Sequence, residues 1–312
     1  MKHLKFLKKI PQKVYFLFLP LFLLFIFLTG FLMTYSFKVW NIGNKLLPRP
    51  FNVSPEAKLP IIKTKFIPVV SAQGAIIMDA DSKVVLYSKN PDLRFSTAST
   101  AKIMTALSAL DYFKTTDILT VRQATSDGSV INLFAGEQMS FENLLYAMLL
   151  PSANDAALAI SQNYPGEEPA FVQKMNSKAK ELKLYNTHYS DPAGLVDSGD
   201  YTTPFDLARL SSFAIKNNTF KQIVNTKEKV IYDTTGASIY PLQNLNKLLG
   251  IDGVNGIKTG YTEEAGQVLV TSKDEKGKTV IIVVMGSEDR FSDTAKLLDL
   301  VSNNLTYLSI HP

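Results

Sequence analysis

Apolar and polar positions alternate in blocks along this chain, and each block predicts an element. Gln73 to Met78 is an apolar run that stops at the turn cluster Asp79-Ala80-Asp81-Ser82, and Val84-Val85-Leu86-Tyr87 follows. That order predicts a β-hairpin. From Ser99 to Phe113 the residues Ile103, Met104, Ala106, Leu107 and Leu110 recur at helical spacing. Phe141 to Leu150 predicts a second helix, broken at Pro151, and Ala153 to Ile160 and Ala170 to Leu184 predict two more. Pro204 to Ile215 predicts another, with Pro204 suited to its first turn. The character then changes. Val254 to Lys258, Gln267 to Thr271 and Thr279 to Met285 are β-rich, Lys273 to Gly277 reads as a turn between the last two, and Asp293 to Leu305 is amphipathic at helical period. With strands at both ends and helices between, the chain predicts an α/β (α+β type) layered domain. Its antiparallel sheet, flanked by helices, would pair the early hairpin with the late strands.

Val14 to Phe37 fits neither period. These twenty-four residues carry no formal charge, and at about 1.5 Å per residue they are long enough for a hydrocarbon core of about 30 Å. Lys2, Lys5, Lys8, Lys9 and Lys13 precede them, which places the N-terminus in the cytoplasm and the remainder outside. The run ends in bulky Met33-Thr34-Tyr35-Ser36-Phe37 rather than at a small-residue cleavage site. The expectation is a cytoplasmic basic tail (1–13), an uncleaved transmembrane signal-anchor (14–37) in the cytoplasmic membrane, a tether (38–70) and an exported catalytic domain (71–308). Pro48, Pro50, Pro55, Pro60 and Pro68 make the tether extended and semi-rigid.

Composition narrows the chemistry. At 312 residues, 46% hydrophobic and 20% charged, the chain can bury a substantial core. It has no cysteine, which excludes disulfides, thiol nucleophiles and thiolate metal sites. The net charge of +5 is mild and much of it sits in the N-terminal tail, so no nucleic-acid surface is indicated. The three histidines are His3, His188 and His311. A metal site is therefore not expected, nor any other cofactor. A Ser-His-Asp triad would rest on His188 alone, which reads as a loop residue.

Three strings supply acyl-transfer chemistry without histidine: Ser99-Thr100-Ala101-Lys102, Ser152-Ala153-Asn154 and Lys258-Thr259-Gly260. Each pattern is short. Ser177-Lys178-Ala179-Lys180 repeats the first, and Ser161-Gln162-Asn163 and Ser302-Asn303-Asn304 repeat the second. Context separates them. Ser99 starts a predicted helix, with Lys102 one turn on along the same face, and a helix start favours an alkoxide. Ser152 and Asn154 follow a helix break, and Lys258 to Gly260 end a predicted strand, where glycine admits a ligand's backbone.

In that order, S-x-x-K, S-x-N and K-T-G resemble the serine-type D-alanyl-D-alanine carboxypeptidases, low-molecular-mass penicillin-binding proteins of the β-lactamase/transpeptidase-like superfamily. The resemblance runs from about Ser71 to Leu298. It takes in Arg94 to Ala106, Leu149 to Ala157, Asp191-Pro192-Ala193-Gly194-Leu195, Gly256 to Thr262 and Ala265-Gly266. Together with the anchor read above, it implies a membrane-anchored enzyme that removes the terminal D-alanine from peptidoglycan stem peptides through a serine acyl-enzyme, with β-lactams as covalent inhibitors. It makes Ser99 the nucleophile and Lys102 its base, the latter with a pKa lowered by partial burial and by Lys258. Ser152 becomes the proton relay, Asn154 a substrate-backbone ligand, and Lys258, Thr259, Gly260 and Arg290 the carboxylate and strand-edge contacts. The backbone N–H groups of Ser99 and Tyr261 become the oxyanion hole. Two alternatives stay open: D,D-endopeptidase action on cross-links, and a non-catalytic penicillin-binding sensor. The chain departs from the family in ending before a second β-rich domain and C-terminal amphipathic anchor. Glu167-Glu168-Pro169 lies too close to Ser152 to be the deacylating motif of a class A β-lactamase, so slow β-lactam turnover is expected.

Overall fold

The computed structural model describes residues 24–34, 58–64, 67–195, 199–275 and 277–309. The chain divides into two compact units, residues 1–57 with 311–312, and residues 58–310. In the first unit the described residues form one helix, α1 (24–34). Eleven residues reach about 16 Å, half of a hydrocarbon core. Among the described residues no helix is long and apolar enough to cross a membrane. This finding corrects the expected membrane-anchored placement. The rest of the segment read as a span, the basic tail 1–13 and the tether up to residue 57 lie outside the described residues.

The second unit is built on a five-stranded sheet in the order β3-β2-β10-β9-β8. Its strands are β2 (Gly74–Asp79), β3 (Val85–Lys89), β8 (Val254–Thr262), β9 (Gly266–Glu275) and β10 (Lys278–Ser287), every neighbouring pair antiparallel. The early hairpin thus joins the late strands through β2 and β10, as the pattern predicts. Both faces are covered, so β10 reads as a continuous apolar run whose neighbours point to opposite sides. Ile281, Val283 and Met285 enter the larger core with the central helices, while Val280, Ile282 and Val284 enter a second core. That second core holds Leu297, Leu298 and Val301 of α8 (Arg290–Asn304).

The larger core lies under α2 (Ala101–Leu110), α3 (Phe141–Leu149), α4 (Asn154–Gln162), α5 (Glu167–Glu181), α6 (Pro204–Ala214) and α7 (Asn218–Val224). Side chains cap several of these helices: Ser140 Oγ accepts from Asn143 N at α3, and Thr203 Oγ1 accepts from Asp206 N at α6. Three two-stranded ribbons complete the unit. They are β4 (Ile118–Thr120) with β5 (Gln138–Ser140), β6 (Glu228–Tyr232) with β7 (Ile239–Gln243), and β1 (Lys58–Ile62) with β11 (Leu305–Ser309). The last pair is a difference from the sequence reading: Lys58–Ile62, within the stretch read as a tether, is a paired strand despite Pro60.

Candidate active site

Ser99 does not open the long helix. It sits in a 3-10 turn, Ala98–Thr100, that runs directly into α2. Thr100 donates both its N–H and its hydroxyl to the Thr97 carbonyl, which tightens the turn. Ala98 has φ +44°, and the residue packed against it is Gly194, at φ +75°, where any Cβ would fall on the Ala98 carbonyl oxygen. Glycine is required at 194 by both conformation and space.

One turn on, Lys102 is wholly buried and its Nζ donates to Ser99 Oγ at 2.9 Å and to the Ala193 carbonyl at 2.7 Å. Burial pulls the Lys102 ammonium down to about 7, while Asp191 and Asp155 pull it the other way. The burial is complete, not partial as expected, and desolvation rather than the Lys258 cation is what lowers it. The two lysines do repel, and with burial first and Arg290 third this holds Lys258 well below its ordinary value. A neutral amine one hydrogen bond from a hydroxyl is a base in place.

The acceptor of Lys102 is itself held by a carboxylate. Asp191 accepts from Ala193 N at 2.6 Å, Gly194 N at 2.7 Å and Leu195 N at 2.9 Å, closing the loop that presents the Ala193 carbonyl. Buried Asp200 ties this loop to the nucleophile turn, accepting from Thr97 Oγ1 at 2.9 Å and from Ser190 N. Sequence reasoning flagged Asp191 as part of a shared motif but gave it no role, and it missed Asp200. The available signal was the run of small residues after Asp191, a pattern suited to a turn around a carboxylate.

Ser152 follows Pro151 in the break between α3 and α4, with φ +68°. Asn154 is the first residue of α4, its Nδ2 donating to the Asp127 carbonyl at 2.7 Å and its backbone N to the Ser129 carbonyl at 2.6 Å. Buried Ser152 Oγ, Asn154 Oδ1 and Arg290 Nε have no hydrogen-bond partner. Half of the six such side-chain atoms among the described residues therefore belong to residues singled out from the sequence. Unpaired buried polar atoms are uncommon in folded proteins, and on residues that the sequence already singles out they are acceptors and donors left for a ligand.

Lys258, Thr259 and Gly260 do not end their strand as predicted, because β8 continues to Thr262. They lie on the edge of the sheet, buried but for the neighbouring Tyr261, which is 62% exposed. At Gly260 a Cβ would lie 3.4 Å from Ser99 N and 3.2 Å from the Ala98 Cβ, so this strand edge runs against the nucleophile turn. Lys258 Nζ donates to the Thr259 carbonyl at 3.0 Å. Arg290, at the start of α8, donates from Nη1 to the Gly260 carbonyl at 2.7 Å, which joins it to the same strand. Ser152 makes no hydrogen bond to either lysine. His188 is exposed, its Nδ1 paired with the Gly199 carbonyl at 3.0 Å.

An antiparallel sheet with helices on both faces and a serine-lysine pair against its edge strand define the fold of the penicillin-binding and serine β-lactamase-like proteins. The crystal structure of the Streptomyces K15 DD-transpeptidase matches with a TM-score of 0.71 and 35% identity, covering 75% of this chain and 98% of that one. The D-alanyl-D-alanine carboxypeptidase family matches residues 62–289. The chain belongs to that family, the serine-type D-alanyl-D-alanine carboxypeptidases among the low-molecular-mass penicillin-binding proteins. A Bacillus subtilis D-alanyl-D-alanine carboxypeptidase is 36% identical over 239 residues, 73% of this chain and 61% of the relative, so this chain spans under two thirds of that protein's length. An Escherichia coli D-alanyl-D-alanine endopeptidase is 30% identical over 261 residues, 81% of this chain and 84% of the relative.

Proposed function

We propose that this chain removes the terminal D-alanine from peptidoglycan stem peptides through an ester on Ser99, using the domain at residues 71–308. One observation carries the reading: a wholly buried Lys102 Nζ at 2.9 Å from Ser99 Oγ, with its pKa pulled to about 7. Neutral Lys102 takes the Ser99 proton as Oγ attacks the carbonyl between the two D-alanines. The oxyanion that forms is held between the backbone N–H groups of Ser99 and Tyr261. The C–N bond then breaks as the proton taken by Lys102 passes through Ser152 to the leaving amine, and D-alanine departs. Water gives a proton to Lys102 and attacks the ester, the ester C–Oγ bond breaks to release the shortened peptide, and Lys102 returns the proton to Ser99. Lys258, Thr259 and Arg290 hold the terminal carboxylate. Gly260 admits the peptide to the strand edge, and Asn154 Oδ1 accepts from its backbone. β-Lactams offer the same site an acylating carbonyl and so block it.

The test is mass spectrometry of muropeptides incubated with the purified protein. The expected product is a pentapeptide muropeptide shortened by one alanine, absent with Ser99→Ala. Cleavage of cross-linked dimers with pentapeptides left intact would replace this reading with the endopeptidase one. No change in either substrate would overturn both.

A further inference from the structure

A cleft of about 750 Å³ opens on a different part of the unit, between the exposed face of α5, the segment Leu184–Ser190 and Tyr201. That volume lies within the roughly 300–1,000 Å³ common for small-molecule sites. Three kinds of group line it. Tyr185 is 77% exposed, a large ring left in solvent. His188 and Tyr201 stack at 5.9 Å and 23°, and the Arg94 guanidinium lies 4.4 Å from the Tyr201 ring centre, which fixes that wall. Gln173, Ser177 and Lys180 stand exposed on α5 at spacings of four and three residues, so they form one row facing the aromatic wall. His188 Nδ1–H donates to the Gly199 carbonyl at 3.0 Å, which orients the ring.

We infer that this cleft binds a saccharide, namely the amino-sugar backbone of a peptidoglycan strand. The choice of ligand rests on the proposed cell-wall reaction, and the site itself rests on the lining. A pyranose ring has an apolar C–H face and a rim of hydroxyls. It needs an aromatic surface on one side and polar side chains on the other, which is the division between Tyr185 and the α5 row. Lys180 is the one charged residue in the lining, too little for a phosphate site and enough for one hydroxyl or carboxylate. The cleft floor is firm. Asn176 Nδ2 donates to the Tyr189 carbonyl at 2.7 Å and its Oδ1 accepts from Tyr189 N at 3.0 Å. Tyr189 and Ser190 lead in two residues to Asp191 and the loop that receives Lys102. A strand seated there would keep the enzyme on its polymer and brace that loop.

The experiment measures binding of chitotetraose, a peptide-free β-1,4-linked N-acetylglucosamine oligomer, to the whole chain by saturation-transfer NMR and calorimetry. Hydrolysis of a short peptide ending in D-Ala-D-Ala is assayed in parallel. The wild type is expected to bind, and Tyr185→Ala and Ser177→Trp to weaken binding at least about tenfold. Both positions are exposed, so the fold and the short-peptide rate stay unchanged. No binding by the wild type, or binding by both variants as tight as the wild type's, overturns the site. Sugar binding without peptide hydrolysis would instead defeat the proposed reaction and leave the site standing.

Discussion

Lys102 has no exposed surface, yet it lies one hydrogen bond from a serine hydroxyl. Burial disfavours its charged form, and the fold therefore holds a base ready near neutral pH. The sign for stability follows. Between pH 7 and 10.5 the unfolded chain binds a proton at this lysine that the folded chain does not. Its contribution therefore rises with pH across that window and is lost as pH falls through about 7. Lys102→Arg replaces it with a group that stays charged. Stopped-flow penicillin binding is expected to show acylation slowed at least about a hundredfold, the lower part of the range for general-base loss. At Gly194, substitution by alanine sets a side chain against the Ala98 carbonyl at φ +75°. Thermal melting is expected to fall by at least about 4 °C, for a cost of about 2 kcal/mol or more. The sequence made the residue types at this site legible, because S-x-x-K, S-x-N and K-T-G name their own chemistry. It did not make Lys102's complete burial legible, because the groups enclosing it include Ala193, some ninety positions away.

Elements with a strong period were readable within a few residues. Phe141–Leu149 and Pro204–Ala214 stand where the pattern places them, and the three long strands start within a residue of their expected starts but run two to four residues further, β9 taking in Lys273–Glu275 read as turn. The ribbons were not readable. β4 and β5 have three residues each, too few for alternation, and β6 buries only Ile231 among five. Tertiary pairing, not local preference, makes them strands. The same holds for the join between the nucleophile turn and the loop at 190–195, which depends on Asp200. Burial raises that carboxyl to about 6, with Asp191 adding to the effect. Its ionised form is disfavoured in the fold, so its contribution is greatest below pH 3.8 and declines as pH rises through about 6. Asp200→Asn keeps an acceptor for Ser190 N and a partner for Thr97 Oγ1. It is expected to hold the penicillin acylation rate within about threefold of wild type, whereas Asp200→Ala, which leaves Ser190 N unpaired, slows it about tenfold or more. Equal rates for the two variants would show that the join does not position Ser99.

For residues 58–310 the sheet is the partition between two cores, and the proposed chemistry sits against one of its edges. The far core is closed by α8 and by the β1–β11 ribbon, whose Tyr307 donates its hydroxyl to Asp79 Oδ2 at 3.0 Å. Tyr307→Ala is therefore expected to lower the melting temperature while covalent penicillin labelling persists, because the ribbon supports the sheet from the face away from the central helices. Loss of labelling at a temperature where the variant is folded would show that the two cores are coupled. The central claim, a serine activated by a buried neutral lysine, is tested most directly by intact-mass measurement of the penicillin adduct across pH 5 to 9. One adduct, on Ser99, is expected to form at a rate that climbs through about pH 7, and no adduct is expected in Ser99→Ala. An adduct that persists in Ser99→Ala, or a rate that does not change with pH, would contradict it.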